Sequence, residues 1–187
     1  PTHILEAVHQ ETLRDHREEI TKVKPLLLVL HHRTPEVKRL FGMMDETGFE
    51  LIYFMGVAYG EVDDEVISNI DDDTKGKFVS VIREDGKFFM HPRVSGKNIA
   101  DFEGLKNEFN QKHFTDLDDS KEFFARKFLI DAARQANREG RPLLVLEDGG
   151  MYFRLLHELY HENNPDVRKL VDNGRFYGNV EVTEKGE

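Results

Sequence analysis

The sequence predicts an α/β protein, a three-layer α/β/α Rossmann-like domain with a mainly parallel sheet and an inserted hairpin and loop region. Three observations carry this. Two proline-led apolar runs, Pro25-Leu26-Leu27-Leu28-Val29-Leu30 and Pro142-Leu143-Leu144-Val145-Leu146, each end in polar residues and pass into a helical pattern. Strand-like and helix-like segments alternate along most of the chain, the order that builds a parallel sheet with helical crossovers. An Asp-Gly pair between two short apolar runs, Asp85-Gly86, marks a hairpin.

The second run, from Gly140 to Gly150, organises the rest. Its four consecutive apolar residues suit a strand buried on both faces. Glu147, Asp148, Gly149 and Gly150 follow. Ligands of open α/β sheets bind outside the carboxyl ends of the strands, and glycine lets the backbone turn sharply or approach a ligand. The first run ends in His31-His32-Arg33-Thr34. If the two strands are parallel neighbours, His32, Thr34 and Asp148 face one pocket. Asp148 then has two readings, helix cap or ligand group, and Thr34 has the same two.

In chain order, Ile4 to Lys22 has the pattern of an amphipathic helix with Leu5, Val8 and Ile20 among its apolar positions, followed by the strand Leu26–Leu30. Thr34-Pro35 is a helix start, a hydroxyl cap with proline at the first helical position. Val37, Leu40, Phe41 and Met44 share one face, and Gly48 stops the helix. Phe49 to Met55 forms a second strand, residues 56–60 its loop, and Glu61 to Ile70 a short helix. Asp71-Asp72-Asp73 lacks the ligand spacing of a calcium loop and reads as a solvated turn. Phe78–Ile82 and Lys87–Met90 form the hairpin. From His91 to Leu117 the pattern is weak, a loop with a short helix, and about 71–117 reads as an insertion or lid. Asp119 or Ser120 caps the next helix, which carries Phe124, Phe128, Leu129, Ala132 and Ala136 and ends at Gly140. After the organising strand come a helix from Met151 to Glu162, a break at Asn163-Asn164-Pro165, a helical turn over Asp166–Val171, a stop at Asn173-Gly174 and a last strand from Tyr177 to Thr183.

Composition narrows the function. The 187 residues are 39% hydrophobic with 14 Phe, enough for one core. No apolar run approaches the ~20 residues that span a bilayer, so no membrane partner is expected. The absence of cysteine excludes disulfides, thiolate metal sites and cysteine nucleophiles, and is compatible with a cytoplasmic location. A formal net charge of -10 and no basic run disfavour nucleic acid. The chain starts at Pro1 rather than Met and stops at Glu187 just past a strand-like run, which suggests a piece of a longer protein.

His157-Glu158-Leu159-Tyr160-His161 matches the H-E-x-x-H pattern. On a helix, two imidazoles four residues apart share a face and can grip zinc while the glutamate activates water. A third ligand is required, Glu181 or an acidic residue of the insertion. The alternative is that both histidines are ordinary helix residues, His161 near the negative helix end.

From Gly140 onward the chain resembles the substrate domain of S-adenosylhomocysteine hydrolase (adenosylhomocysteinase). That family carries G-x-P-L-x-x-x-L-D-D-G-G-D and then a helix with L-I-H-x-x-Y-P. Gly140-Arg141-Pro142-Leu143, Leu146-Glu147-Asp148-Gly149-Gly150-Met151, Leu155-Leu156-His157 and Tyr160-His161 stand in those places. Gly178-Asn179-Val180-Glu181-Val182-Thr183-Glu184-Lys185-Gly186 stands where the family has G-x-x-E-E-T-T-T-G. Upstream, His32 and Thr34 match the family's L-H-M-T, and Gly48 and Asp63 match its Gly and Asp. His157 and Tyr160 match positions that bind no zinc in the family.

The resemblance implies definite chemistry. Tightly bound NAD oxidises the ribose 3′-hydroxyl of S-adenosylhomocysteine, the C4′ proton becomes acidic, homocysteine is eliminated, water adds and the ketone is reduced back. It implies His32 and Asp148 as catalytic groups, Thr34, Asp148 and Glu181 as substrate contacts, Thr183 as a contact to NAD, and a nucleoside as the small-molecule partner. A homo-oligomer is compatible with it. The dinucleotide-binding domain is expected beyond Glu187, since no G-x-G-x-x-G occurs in this chain. The departures are as specific. Val182 replaces the second glutamate, Glu184 and Lys185 replace two threonines, and the family's N-x-x-S-T is not visible in Val57–Val62. A non-catalytic nucleoside-binding module on the same fold is therefore the alternative, and a zinc hydrolase on His157, Glu158 and His161 the second.

Overall fold

Two prolines set the start of the sheet. Proline lacks an N–H and has a fixed φ, so in a sheet it suits the position just before a strand. Its carbonyl still accepts: Leu26 donates to the carbonyl of Pro142 at 2.9 Å, and Glu50 to that of Pro25 at 2.9 Å. Three strands are thereby aligned at one edge, the amino edge. The structure, a computed structural model, describes residues 11–32, 35–57, 74–90 and 96–181.

The described elements are α1 (Arg17–Val23), β1 (Leu26–His32), α2 (Pro35–Thr47), β2 (Glu50–Val57), β3 (Phe78–Glu84), β4 (Lys87–Met90), α3 (Phe102–Gln111), α4 (Leu117–Glu139), β5 (Leu143–Asp148), α5 (Met151–His161), α6 (Pro165–Asp172) and β6 (Phe176–Glu181). The six strands lie in the order β4-β3-β2-β1-β5-β6. All neighbours are parallel except β3 and β4, which form the hairpin with Asp85 at φ 48 and Gly86 at φ 75 in its turn. The fold is thus α/β with a mostly parallel, Rossmann-like sheet. The chain winds from β1 out through β2 to β3, returns through α3 and α4 to the other side of β1, and continues from β5 to β6. The direction of winding reverses between β1 and β5, the switch point at which such sheets open a crevice.

Strand β1 is the centre of the core, with Leu26, Leu27, Leu28, Val29 and Leu30 all buried. On β5 the outcome differs from the expected burial on both faces. Leu143 and Val145 are buried, but Leu144 and Leu146 are half-buried. Side chains alternate along a strand, and β5 is covered more completely on the side of Leu143, Val145 and Glu147.

Helix α4 packs on α5, α6 and the sheet, burying Phe124, Phe128, Leu129, Ala132 and Ala136 as the sequence predicts. Its cap is corrected. Asp116, not Asp119 or Ser120, accepts the Asp119 N–H at 2.8 Å, while Asp119 reaches back to the Thr115 N–H at 3.0 Å, a reciprocal pair that satisfies two donors. The weakly patterned stretch contains the short helix expected of it, and Phe109 of α3 is buried against Phe124 at 5.1 Å between ring centres. Tyr53 of β2 stacks on Phe128 at 4.3 Å. Asn164 caps α6 through the N–H groups of Asp166 and Val167, with Pro165 in its first turn, and Gly140 closes α4 at φ 69.

The amino-terminal helix is described from residue 11, breaks at His16 and has no buried residue in α1. Leu5 and Val8, Thr34, residues 58–60, the helix expected over Glu61–Ile70, Asp71-Asp72-Asp73 and Thr183 lie outside the described residues, as do the side chains of Val37 and Phe41. No helix among the described residues is long and apolar enough to cross a membrane.

Candidate functional site

The carboxyl edge at the switch point collects the chemistry. In the parallel ladders Leu30 stands opposite Glu147, and Asp148 opposite Glu181. His31 and His32 extend β1 beyond Leu30, beside Gly56 and Val57 of β2. Backbone register therefore brings the ends of β1, β5 and β6 together, with His32, Asp148 and Glu181 at one edge. The side chains of His32 and Glu181, and the whole of Thr34 and Thr183, lie outside the described residues.

Glu147 is the group that sequence reasoning passed over. Its side chain lies on the inward face with Leu143 and Val145, and the residue is 1% exposed. One carboxylate oxygen accepts the backbone N–H of Tyr152 at 2.6 Å and the other that of Phe153 at 2.9 Å. These are two of the donors a helix leaves unsatisfied at its start, so Glu147, rather than Asp148, caps α5. Gly150, the formal cap position, has no side chain to offer and sits at φ 74. Burial pushes the Glu147 carboxyl above its ordinary range, the two N–H groups oppose that, and neighbouring Asp148 adds to it. The period-two pattern Leu143, Val145, Glu147 was the available signal.

Two tyrosines lie behind this cap. Tyr152 is fully buried and its hydroxyl has no hydrogen-bond partner among the described residues. Burial pushes its phenol well up, helped by Glu147 and Tyr53. Burial also raises Tyr53, whose hydroxyl donates to the Asp131 carboxylate.

Asp148, one residue after Glu147, takes the opposite face of the strand and is half-buried. Gly149 at φ 91 and Gly150 at φ 74 follow, and a Cβ on either would meet nothing within 4 Å among the described residues. These glycines supply a left-handed turn, and no described residue crowds them. A cleft of about 240 Å3 lies at the other edge of the sheet, among Leu27, Met44, Phe49 and Lys77. It belongs to the amino ends of the strands, and Lys77 there is spent on the Leu51 carbonyl at 2.9 Å.

The H-E-x-x-H residues occupy the last turns of α5. Arg126 and Arg154 hold the two Glu158 oxygens, each at 2.8 Å, and the His157 and His161 Nε2 atoms stand 3.3 Å apart. No cluster of three metal-ligating groups occurs among the described residues. Compared with known protein families, curated proteins and solved structures, the chain matches none.

Proposed function

We propose that this chain is the substrate-binding domain of an adenosylhomocysteinase-like, NAD-dependent protein acting on S-adenosylhomocysteine or a related nucleoside. The observation that carries this reading is the register across β1, β5 and β6, which sets His32, Asp148 and Glu181 at one sheet edge beside the switch point. On this reading the domain is a three-layer sandwich, with α4 to α6 over one face and α1 and α2 over the other, and the stretch of about 71–117 is an insertion.

Each group has a role suited to its chemistry. Asp148 accepts hydrogen bonds from the sugar hydroxyls, the stronger for its charge. His32 exchanges protons near neutrality. Thr34 and Glu181 complete the contacts to the nucleoside. Glu147 holds the first turn of α5, so that the Asp148 loop is presented on a rigid helix start.

NAD, when bound, supplies oxidation of the ribose 3′-hydroxyl. In dinucleotide-binding folds the pyrophosphate lies on a helix N-terminus. At α5 that place is filled by the Glu147 carboxylate. This supports a division in which the cofactor is held mainly outside this chain, with Thr183 as an edge contact.

The alternative, a nucleoside-binding module without turnover, is favoured by Val182 and by Glu184 and Lys185 in place of threonines. The zinc-hydrolase reading is the weakest, because the Glu158 carboxylate that would activate water is bound by two arginines. Titrating adenosine and S-adenosylhomocysteine into the intact protein separates these. Binding with reduction of NAD is the expected result. Binding without it leaves the module, and no binding of either nucleoside rejects both nucleoside readings.

A further inference from the structure

We propose that His157 and His161 form a two-histidine site on the surface of α5 for a late first-row divalent cation such as zinc, separate from the nucleoside site and from any hydrolytic role of Glu158. The pair is spaced four residues apart, so both imidazoles rise from one helix face. Their Nε2 atoms are 3.3 Å apart and their ring centres 4.4 Å apart. The rings therefore converge at their Nε2 ends, and both residues are exposed to solvent. Two nitrogens bonded to one zinc at about 2.0–2.1 Å with a tetrahedral angle stand about 3.3–3.4 Å apart. The 3.3 Å contact is an N–H···N hydrogen bond, in which one Nε2 carries the proton. A bridging cation takes the place of that proton, which moves to Nδ1 of the same ring, while the separation of the two nitrogens stays that of a chelating pair.

The surroundings suit a cation. Three carboxylates, Glu122, Glu158 and Glu162, are shared between two guanidiniums, Arg126 and Arg154, which leaves a net negative charge beside the imidazoles. Those carboxylates are engaged, and no third ligand stands ready among the described residues. The remaining coordination positions are thus left to water or to a donor from another molecule. A closed structural zinc site has four protein ligands, so this one is an exchangeable surface site. Imidazole suits zinc, nickel and copper alike; zinc serves as the probe.

The test is calorimetric titration of Zn2+ into the full chain and into His157→Gln, His161→Gln and the double variant. Far-UV circular dichroism checks that these exposed substitutions leave the helix in place. The expected result is one equivalent of zinc, weakened at least about tenfold by either single change and lost in the double variant. In parallel, the imidazole nitrogen signals of His157 and His161 shift first as zinc is added. Equal zinc affinity in either single variant, an equivalent retained by the double variant, or no zinc bound by the wild-type chain overturns the site.

Discussion

Glu147 accepts the backbone N–H of Tyr152 at 2.6 Å, so the last inward side chain of β5 holds the first turn of α5. The strand, the glycine turn and the helix are locked as one unit by this buried carboxylate. Glu147→Ala leaves one buried and one half-buried donor without this partner and is expected to lower stability by about 1–3 kcal/mol. Glu147→Gln keeps an accepting oxygen and is expected to lose less. Urea denaturation of the two variants measures this, and an alanine variant as stable as the glutamine one contradicts the cap.

The same carboxyl makes stability depend on pH. Burial, the largest influence, raises its folded pKa above the unfolded value, although the two N–H groups pull it down. The folded state then binds more protons than the unfolded state between those two values. Stability relative to Glu147→Gln therefore falls as pH rises above the ordinary glutamate value of about 4.3, and levels off beyond the folded pKa. Denaturation midpoints of both proteins across that range give the difference directly. A difference that grows with pH has the wrong sign for a buried, raised carboxyl.

Asp148 faces the other side of the strand from the Glu147 cap. Asp148→Asn is expected to leave the fold intact and to weaken adenosine binding by about 1.5–3 kcal/mol, the worth of a charge-assisted hydrogen bond. Thermal denaturation and adenosine titration are the paired measurements. Unchanged adenosine affinity removes Asp148 from the site.

Gly150 is needed for its backbone conformation. At φ 74, with no described residue within 4 Å of where a Cβ would stand, Gly150→Ala is expected to destabilise by about 1–2 kcal/mol through left-handed strain. Gly150→Asn is expected to lose less, since asparagine visits that region more readily. Equal losses in the two variants would point to a contact instead.

The two buried tyrosines should respond oppositely to loss of the hydroxyl. Tyr152→Phe removes a buried group with no partner among the described residues, and is expected to leave stability unchanged or raised. Tyr53→Phe removes the donor to Asp131, and is expected to lower stability by about 1 kcal/mol. Equilibrium unfolding of the pair decides it.

The sequence by itself determined the elements and their punctuation. Proline-led apolar runs announced β1 and β5, Asp85-Gly86 the hairpin, Gly140 the end of α4, and Asn164-Pro165 the start of α6. These are local signals, set by a residue's own φ, by side-chain period and by capping within one turn. Alternation of strands and helices also carried the parallel sheet. Only the tertiary structure decided that Leu26 pairs with both Glu50 and Leu143, which makes β1 and β5 neighbours and puts the switch point between His32 and Asp148. Only packing decided that Glu147 turns inward while Asp148 turns out, that Asp116 caps α4, and that Glu158 belongs to Arg126 and Arg154. Strand order and side-chain partners depend on contacts between residues far apart in the chain, and a local pattern carries no record of which distant surface will cover it.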